Sequence, residues 1–323
     1  MKYLDINTPI SELQDYLTTK GWMDSDEEIS SVQKPGEGNM NVVLRIKTNK
    51  RSFILKQSRP FVQKYQQIEA PLDRIAVEHR FYSIVSGEAL QSHIPKILGY
   101  DAAEYLIIME DLGHCEDMSS IYSSRSIAVN DLKKLLNALR QIHQNEVPHD
   151  FPENMEMRRL NHQHIFVLPF LKDNGFQLDT IQVGLQELSL PYKKDKKLKS
   201  VIHDIGMIYL SRGETLLHGD YYPGSWMTEA ENLYIIDPEF GFAGFPEFDL
   251  GVMAAHIIIA TTDATCLDTI FDLYNSKAQK SLMTKVAGIE IMRRLIGLAQ
   301  LPLERTIAEK QYLLELARKM VMS

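Results

Sequence analysis

Asp220 and Asp237 lie seventeen positions apart, each in a short acidic segment whose residue types suit phosphoryl transfer. Residues 218–220 read His-Gly-Asp, and residues 237–239 read Asp-Pro-Glu. Phosphoryl transfer needs one acid to accept the proton of the attacking hydroxyl, and others to hold Mg²⁺ against the phosphates. Apolar residues precede both segments and a polar turn separates them, so we expect two short strands to bring both acidic loops to one place. A strand-ending turn with a solvated glutamate is the alternative for residues 237–239.

A glycine-rich turn upstream is a second candidate for phosphate binding. Gly36, Gly38 and Asn39 lie between a predicted strand over residues 29–34 and another over residues 42–46. Glycine lets backbone N–H groups approach a phosphate closely. The segment has no GxxxxGK[ST] pattern and no helix follows it, which excludes a P-loop and a dinucleotide-binding turn. A plain hairpin remains the alternative.

Lys56 and Glu78 form a candidate ion pair. Lys56 lies on a predicted strand over residues 52–57, where it is either an edge-strand lysine or a phosphate-binding one. Glu78 lies beside the buried face of a predicted helix over residues 72–82, within reach of Lys56. Two further strands, over residues 94–100 and 105–109, lead to a short glycine-containing link.

The order of these features resembles the protein-kinase-like fold. It is similar, more narrowly, to the aminoglycoside phosphotransferase and choline kinase superfamily, in which HGD replaces the HRD of protein kinases. Several segments resemble the 5-methylthioribose kinases; they are GEGNMNVVLRI, FILKQSRPFV, LDRIAVEHRFY, LHGDYYPGS, YIIDPEFGFAGFPEFDLG and MRRLIGLAQ. Tyr221-Tyr222-Pro223 stands where those kinases carry Leu-His-Thr, and residues 146–200 match none of them. The acceptor therefore stays open.

The resemblance implies a role for each candidate residue. Asp220 would be the catalytic base, and Lys56, held by Glu78, would contact the α- and β-phosphates of ATP. The remaining predicted ATP contacts are Gly36, Gly38 and Asn39 over the phosphates, and the backbone of Glu110 and Leu112 at the adenine. The predicted Mg²⁺ ligands are Asp237, Glu239 and Ser225, with Glu239 supplying the charged ligand that the serine hydroxyl cannot. His218 would support the loop, and Asp249 would cap the next helix and brace the loop.

Arg293 and Arg294 are the last candidates for the catalytic group. Adjacent helical residues point about 100° apart, so one arginine can face the site while the other faces out. The resemblance places the pair near the substrate, where a guanidinium would stabilise the charge of the transferring phosphate. Two surface arginines are the alternative.

Helical spacing dominates the chain after residue 113. Apolar residues recur with a period near 3.6 over residues 127–145, 195–212, 248–262, 281–299 and 302–320. We therefore predict an α+β, bilobal protein-kinase-like fold, with a β-rich nucleotide-binding lobe over residues 1–111 and a mostly helical lobe over residues 112–323.

Composition restricts the function further. The net charge of −8 argues against nucleic-acid binding, and the sequence has no apolar run that could span a membrane. Two distant cysteines and no signal-peptide pattern are typical of a cytoplasmic protein. We predict an ATP- and Mg²⁺-dependent kinase that phosphorylates a hydroxyl of a small molecule, with methylthioribose as the first choice. The alternatives are an aminoglycoside or choline-type amino-alcohol kinase and an inactive nucleotide-binding protein. The oligomeric state stays open, a homodimer included.

Overall fold

The computed structural model describes residues 3–36 and 40–323. Contacts divide the chain into two compact units, Met1–Cys115 with Ile236–Phe240, and Glu116–Ile235 with Gly241–Ser323. The segment Ile236–Phe240 therefore belongs to the first unit, although the chain on both sides of it belongs to the second. The predicted α+β class is confirmed, since strands dominate the first unit and helices the second.

An antiparallel five-stranded sheet forms the centre of the first unit. The elements of this unit are α1 (Ile10–Thr19), β1 (Ile29–Gln33), β2 (Val42–Thr48), β3 (Ser52–Gln57), β4 (Phe61–Val62), β5 (Tyr65–Glu69), α2 (Arg74–Val85), β6 (Ile97–Asp101) and β7 (Leu106–Glu110). The strand order in the sheet is β1-β2-β3-β7-β6. Alternation of side chains creates the sheet: Leu44 and Ile46 of β2 are buried, whereas Lys47 is exposed. Leu13 and Leu17 of α1 join them in one apolar cluster. The predicted strands and the helix that carries Glu78 are confirmed, with their ends shifted by a few residues.

The second unit is built on helices. Its elements are β8 (Glu116–Asp117), α3 (Ile121–Ser124), α4 (Val129–His143), α5 (Met155–His162), α6 (Leu185–Lys194), α7 (Lys196–Leu210), β9 (Thr215–Leu217), β10 (Trp226–Glu229), β11 (Asn232–Ile235), β12 (Phe242–Gly244), α8 (Glu247–Thr261), α9 (Cys266–Tyr274), α10 (Lys280–Ile296) and α11 (Ile307–Met322). The five helices predicted by spacing correspond to α4, α7, α8, α10 and α11. In the region that resembled nothing, a π-helix over Gln163–Val167 follows α5.

Helix α8 is the centre of the second unit. All its residues from Glu247 to Ala260 are buried, as expected for a helix that is apolar on every side. It packs closely against α10 because Gly251 has no side chain: a Cβ at this position would lie 2.6 Å from the Cβ of Val286. This contact brings the polar residues of α8 and α10 together in the interior.

Among the described residues, no helix is long and apolar enough to cross a membrane.

Candidate active site

Lys56 lies at the centre of a buried charged cluster in the first unit. Its Nζ is 2.7 Å from Oε2 of Glu78 and 2.6 Å from Oδ1 of Asp237, so the predicted contact with Glu78 is present. Burial by itself would lower the pKa of Lys56, but the carboxylates of Asp237, Glu78 and Glu239 outweigh it and raise that pKa. Burial raises the pKa of Glu78 to about 8, against the opposing effect of Lys56. The ammonium is thus the charged centre of the cluster.

Glu239 is anchored by side chains of the same unit. Its Oε2 accepts a hydrogen bond from Nδ2 of Asn41 at 2.7 Å and lies 3.2 Å from Nε of Arg74. Arg74 is fully buried and also donates to the carbonyls of Met40, Arg59 and Pro71. Glu239 thereby ties residues 236–240 to α2. Its role as an Mg²⁺ ligand stays a prediction.

Asp237 is held in an unusual backbone conformation by these contacts. Its φ is +62°, in the left-handed region that few residues other than glycine, asparagine and aspartate adopt. About half of its side chain remains exposed, at 48%. Lys56 and Arg74 face three acidic side chains, those of Glu78, Asp237 and Glu239.

The predicted adenine segment is fixed by a β2 side chain. Arg45 donates from Nε to Oδ1 of Asp111 at 3.1 Å and from a terminal nitrogen to the carbonyl of Gly113 at 2.8 Å. Glu110 is the last residue of β7, and Leu112 lies in the segment that follows this strand, where it is partly buried.

In the predicted phosphate-binding turn, Gly36 is exposed, and a Cβ there would meet nothing within 4 Å. The predicted contacts of Gly38 and Asn39 lie outside the described residues.

The loop that carries Asp220 is braced by Asp249 in the second unit. Asp249 accepts backbone hydrogen bonds from His218 at 2.7 Å and from Gly219 at 3.0 Å. Gly219 has φ +83°, a conformation that favours glycine and explains the middle residue of His-Gly-Asp. The predicted bracing is confirmed. The predicted capping is wrong, because α8 begins two residues before Asp249, with Pro246 at the N-cap position.

His143 holds Asp249 from the other side. Its Nε2 lies 3.1 Å from Oδ2 of Asp249, and its Nδ1 lies 2.8 Å from the hydroxyl of Tyr274. A carboxylate can only accept, so Nε2 of His143 must carry the hydrogen in this contact. The loop is thus connected to α4 and α9 through one carboxylate.

Arg294 is the arginine that lies near Asp220. A terminal nitrogen of Arg294 is 3.6 Å from Oδ1 of Asp220, and its guanidinium lies 5.0 Å from the ring centre of Tyr222. Asp220 keeps 23% of its side chain exposed.

Ser225 is buried, and its hydroxyl donates to the carbonyl of Asp220 at 3.0 Å. Its role as a metal ligand stays a prediction.

Arg293 does not point into solvent, which corrects the expectation of one outward arginine. Only 11% of its side chain is exposed, and it donates to both carboxylate oxygens of Glu290, at 2.9 and 2.8 Å. Arg294 donates from Nε to Oε1 of the same glutamate at 2.6 Å. Burial would raise the pKa of Glu290, but the two arginines outweigh it and hold that pKa well below its usual value.

A model of the phosphotransferase enzyme family matches residues 31–288. The chain belongs to this family. It is 25% identical over 248 residues to the methylthioribose kinase of Exiguobacterium sibiricum, a match that covers 71% of this chain and 61% of that protein. The methylthioribose kinase of Bacillus velezensis is 24% identical over 334 residues, with 87% and 84% covered. This chain therefore spans less than two thirds of the first relative and most of the second.

Solved structures of other phosphotransferases share the fold. The choline kinase LicA from Streptococcus pneumoniae matches with a TM-score of 0.54 at 14% identity, covering 97% of this chain and 98% of that one. Spectinomycin phosphotransferase in complex with ADP and spectinomycin matches with a TM-score of 0.54 at 12% identity, covering 98% of both chains. At these identities the likeness shows the bilobal kinase-like fold and nothing about the acceptor.

Sequence reasoning missed four polar residues of these two clusters. Arg74 and Glu290 are buried partners of candidate residues, and Tyr122 and His256 lie behind Glu290. The contact of Glu290 with the arginines could have been predicted from the sequence, since it precedes Arg293 and Arg294 by three and four positions and so shares their side of a helix. The others make contacts between distant segments, which spacing along the chain does not reveal.

No cluster of three or more metal-binding side chains occurs in residues 3–36 and 40–323.

Proposed function

We propose that the chain transfers the γ-phosphoryl group of ATP to a hydroxyl of a small neutral sugar, with methylthioribose as the first candidate. The observation that carries this proposal is the position of the buried guanidinium of Arg294, 3.6 Å from the partly exposed carboxylate of Asp220. Membership of the phosphotransferase family and the relatives named as methylthioribose kinases support it.

Asp220 would act as the base, and Arg294 would stabilise negative charge. As the acceptor oxygen attacks the γ-phosphorus, its proton passes to the carboxylate of Asp220, and the bond to the ADP oxygen breaks. Negative charge on the transferring group is then stabilised by the guanidinium, which needs no reorientation because Glu290 already holds it. Such preorganised charges contribute most where water is excluded, and only 6% of Arg294 is exposed.

The charged cluster of the first unit suits a nucleotide with its divalent cation. Lys56 would bind the phosphates, and Asp237 would be the first ligand of Mg²⁺, because it is the half-exposed carboxylate of the cluster. Magnesium bound by one or two carboxylates, phosphates and water does not need a prebuilt cage of protein ligands. When bound, the ion would neutralise phosphate charge. We assign Glu239 a lesser part, since Asn41 and Arg74 already bind its Oε2.

The charges near Asp220 favour a neutral acceptor over a cationic one. Arg293 and Arg294 balance Glu290 and Asp220, so the group offers a cation no excess of negative charge. Three acidic residues that follow the Asp220 loop in sequence could suit an amino alcohol, but each of them is either engaged or exposed. Glu231 pairs with Lys134 at 2.8 Å with 89% of its side chain exposed, Glu247 is buried and accepts from the backbone of Gln279, and Glu229 is exposed on the β10–β11 hairpin.

An acceptor panel assayed for ADP release and for phosphorylated product by mass spectrometry tests the proposal. Methylthioribose, choline and spectinomycin represent the three acceptor types. We expect the neutral thiosugar to be preferred by at least about 10²-fold in kcat/KM, the scale of losing one stabilising contact in the transition state. Preference for choline or spectinomycin would refute the neutral acceptor. Absence of ATP turnover with every acceptor would favour the inactive nucleotide-binding alternative.

Asp220→Asn and Glu229→Gln make a matched pair for this assay. Both remove one carboxylate charge, but Glu229 is exposed on a hairpin. We expect full activity in Glu229→Gln and a loss of about 10²–10⁴-fold in Asp220→Asn, the range of general-base contributions.

A further inference from the structure

We infer that Glu290 is a positioning residue for phosphoryl transfer, which holds Arg294 beside Asp220 without letting the two form a full ion pair. Tyr122 and His256 hold Glu290 in turn. The inference rests on the proposed function. It assigns a role to three residues on α3, α8 and α10 that the sequence predictions did not include.

The distances around Arg294 carry the argument. Nε of Arg294 lies 2.6 Å from Oε1 of Glu290, a short charge-assisted hydrogen bond, whereas the terminal nitrogen is 3.6 Å from Oδ1 of Asp220. The second distance is longer than an N–H···O hydrogen bond. Arg294 therefore lies close enough to Asp220 to stabilise nearby negative charge. It does not engage Oδ1 of the proposed base in a bidentate pair, which is the preferred geometry of an arginine with a carboxylate.

Removal of Glu290 would change this balance. Arg294 would lose its nearest carboxylate while Asp220 stayed within 3.6 Å, so Asp220 would become its main partner. A guanidinium bound to both oxygens of the base would oppose transfer of a proton to Asp220. Glu290 thus keeps Arg294 from becoming the bidentate partner of Asp220.

Glu290 is fixed by a neutral histidine. Nε2 of His256 lies 3.3 Å from Oε1 of Glu290, and Nδ1 lies 2.5 Å from the hydroxyl of Tyr122. Burial, with a contribution from Arg294, lowers the pKa of His256 to about 4, so the ring is neutral at pH 7. Since a carboxylate only accepts, Nε2 carries the hydrogen and Nδ1 accepts from Tyr122. The ring orients Glu290 without adding a positive charge that would compete with the arginines.

Tyr222 restricts the guanidinium on a further side. Its ring centre lies 5.0 Å from the guanidinium of Arg294 and 5.2 Å from the ring of His256. The absence of a side chain at Gly224 makes room for it, because a Cβ there would lie 2.4 Å from the tyrosine hydroxyl oxygen. Arg294 is therefore confined by an aromatic ring as well as by a carboxylate.

A double-mutant cycle distinguishes positioning from a purely structural role. Glu290→Gln, Arg294→Ala and the double variant are compared with the wild type for kcat and for the KM of ATP. We expect Glu290→Gln to lower kcat by about 10–10²-fold, since a 1 Å misplacement can cost about 10²-fold, and to leave the KM of ATP within about twofold. In the Arg294→Ala background, Glu290→Gln should change kcat by less than about twofold, because residues that act through one another are not additive.

Two outcomes would overturn the inference alone: wild-type kcat in Glu290→Gln, or losses that multiply in the double variant. An enzyme without any ATP turnover in its wild-type form would overturn the proposed function itself, and this inference with it. If Glu290→Gln does not fold, Tyr122→Phe replaces it in the cycle. Tyr122→Phe keeps Glu290 and should lower kcat several-fold only while Arg294 is present; an equal loss in the Arg294→Ala background would refute the role.

Discussion

Asp249→Asn should weaken both the stability and the activity of the protein, because this carboxylate is the acceptor that holds the loop before Asp220. Asp249 is fully buried and accepts from the backbone of His218 and Gly219 and from His143. All three partners donate. Asparagine offers one carbonyl oxygen where the carboxylate offers two, and its amide nitrogen would meet a donor. One buried N–H group would therefore lose its partner.

The expected cost follows from these contacts. A hydrogen bond to a charged group is worth about 1.5–3 kcal/mol, and an unsatisfied buried donor costs a similar amount. We expect Asp249→Asn to lose roughly 2–3 kcal/mol of unfolding free energy, since the asparagine carbonyl keeps part of the interaction. For a unit of about 200 residues this corresponds to a decrease in Tm of roughly 4–12 °C. A loosened loop should also lower kcat by up to about 10²-fold.

Thermal unfolding and steady-state kinetics of the purified variant measure both effects. Asp204→Asn is the matched control, because Asp204 is exposed on α7 and its replacement should stay within about 0.5 kcal/mol of the wild type. We take a Tm difference of about 1 °C as the smallest that can be resolved. If the Tm of Asp249→Asn lies within that difference of the control, the bracing role is refuted. A lower Tm with unchanged kcat would show that the loop position does not limit the reaction.

Three further predictions concern the metal, the arginine pair and a buried histidine. Asp237→Ala should weaken Mg²⁺-dependent ATP binding more than Glu239→Ala does, which titration of Mg²⁺ at fixed ATP would measure; equal effects would make both residues ligands. Arg293→Ala should not be silent, because it leaves Glu290 with one partner fewer, and a loss of about 1–3 kcal/mol in urea unfolding is expected. The pKa of His256 falls from 6.5 to about 4 on folding, so its contribution to stability is complete above pH 6.5 and decreases by about 3 kcal/mol as the pH falls to 4. His256→Gln should lack this part of the acid sensitivity, and identical pH profiles of unfolding would contradict it.

Local patterns were sufficient to predict most of the first unit. Alternating apolar residues define β2, and the helical spacing of α2 places Glu78 beside Lys56, so both ends of that ion pair could be read from the chain. The left-handed conformation of Asp237 could not be read in this way. The segment that contains it is held through Glu239 by Arg74 and Asn41, which lie far away in sequence. Only the folded unit brings those segments together.

Periodicity was less informative for the second unit. It found the long helices but not the π-helix at Gln163–Val167, whose hydrogen-bond pattern departs from a period of 3.6 residues. It also suggested that one arginine would point outward, because a 100° separation normally leads one of two neighbours to the surface. Both arginines of α10 instead bind Glu290, which lies three residues before one and four before the other and offers them a single carboxylate.

The second unit supports its two reactive groups in the same way. Tyr274, His143 and Asp249 form one chain of contacts that ends on the backbone of the Asp220 loop. Tyr122, His256 and Glu290 form another that ends on the two arginines. In each chain a histidine lies between a tyrosine hydroxyl and a carboxylate. That carboxylate accepts from two backbone N–H groups of the Asp220 loop in the first chain and from the two arginines in the second. Both chains include a residue of α8, Asp249 in the first and His256 in the second, so this one helix links the support of the base to the support of the cation.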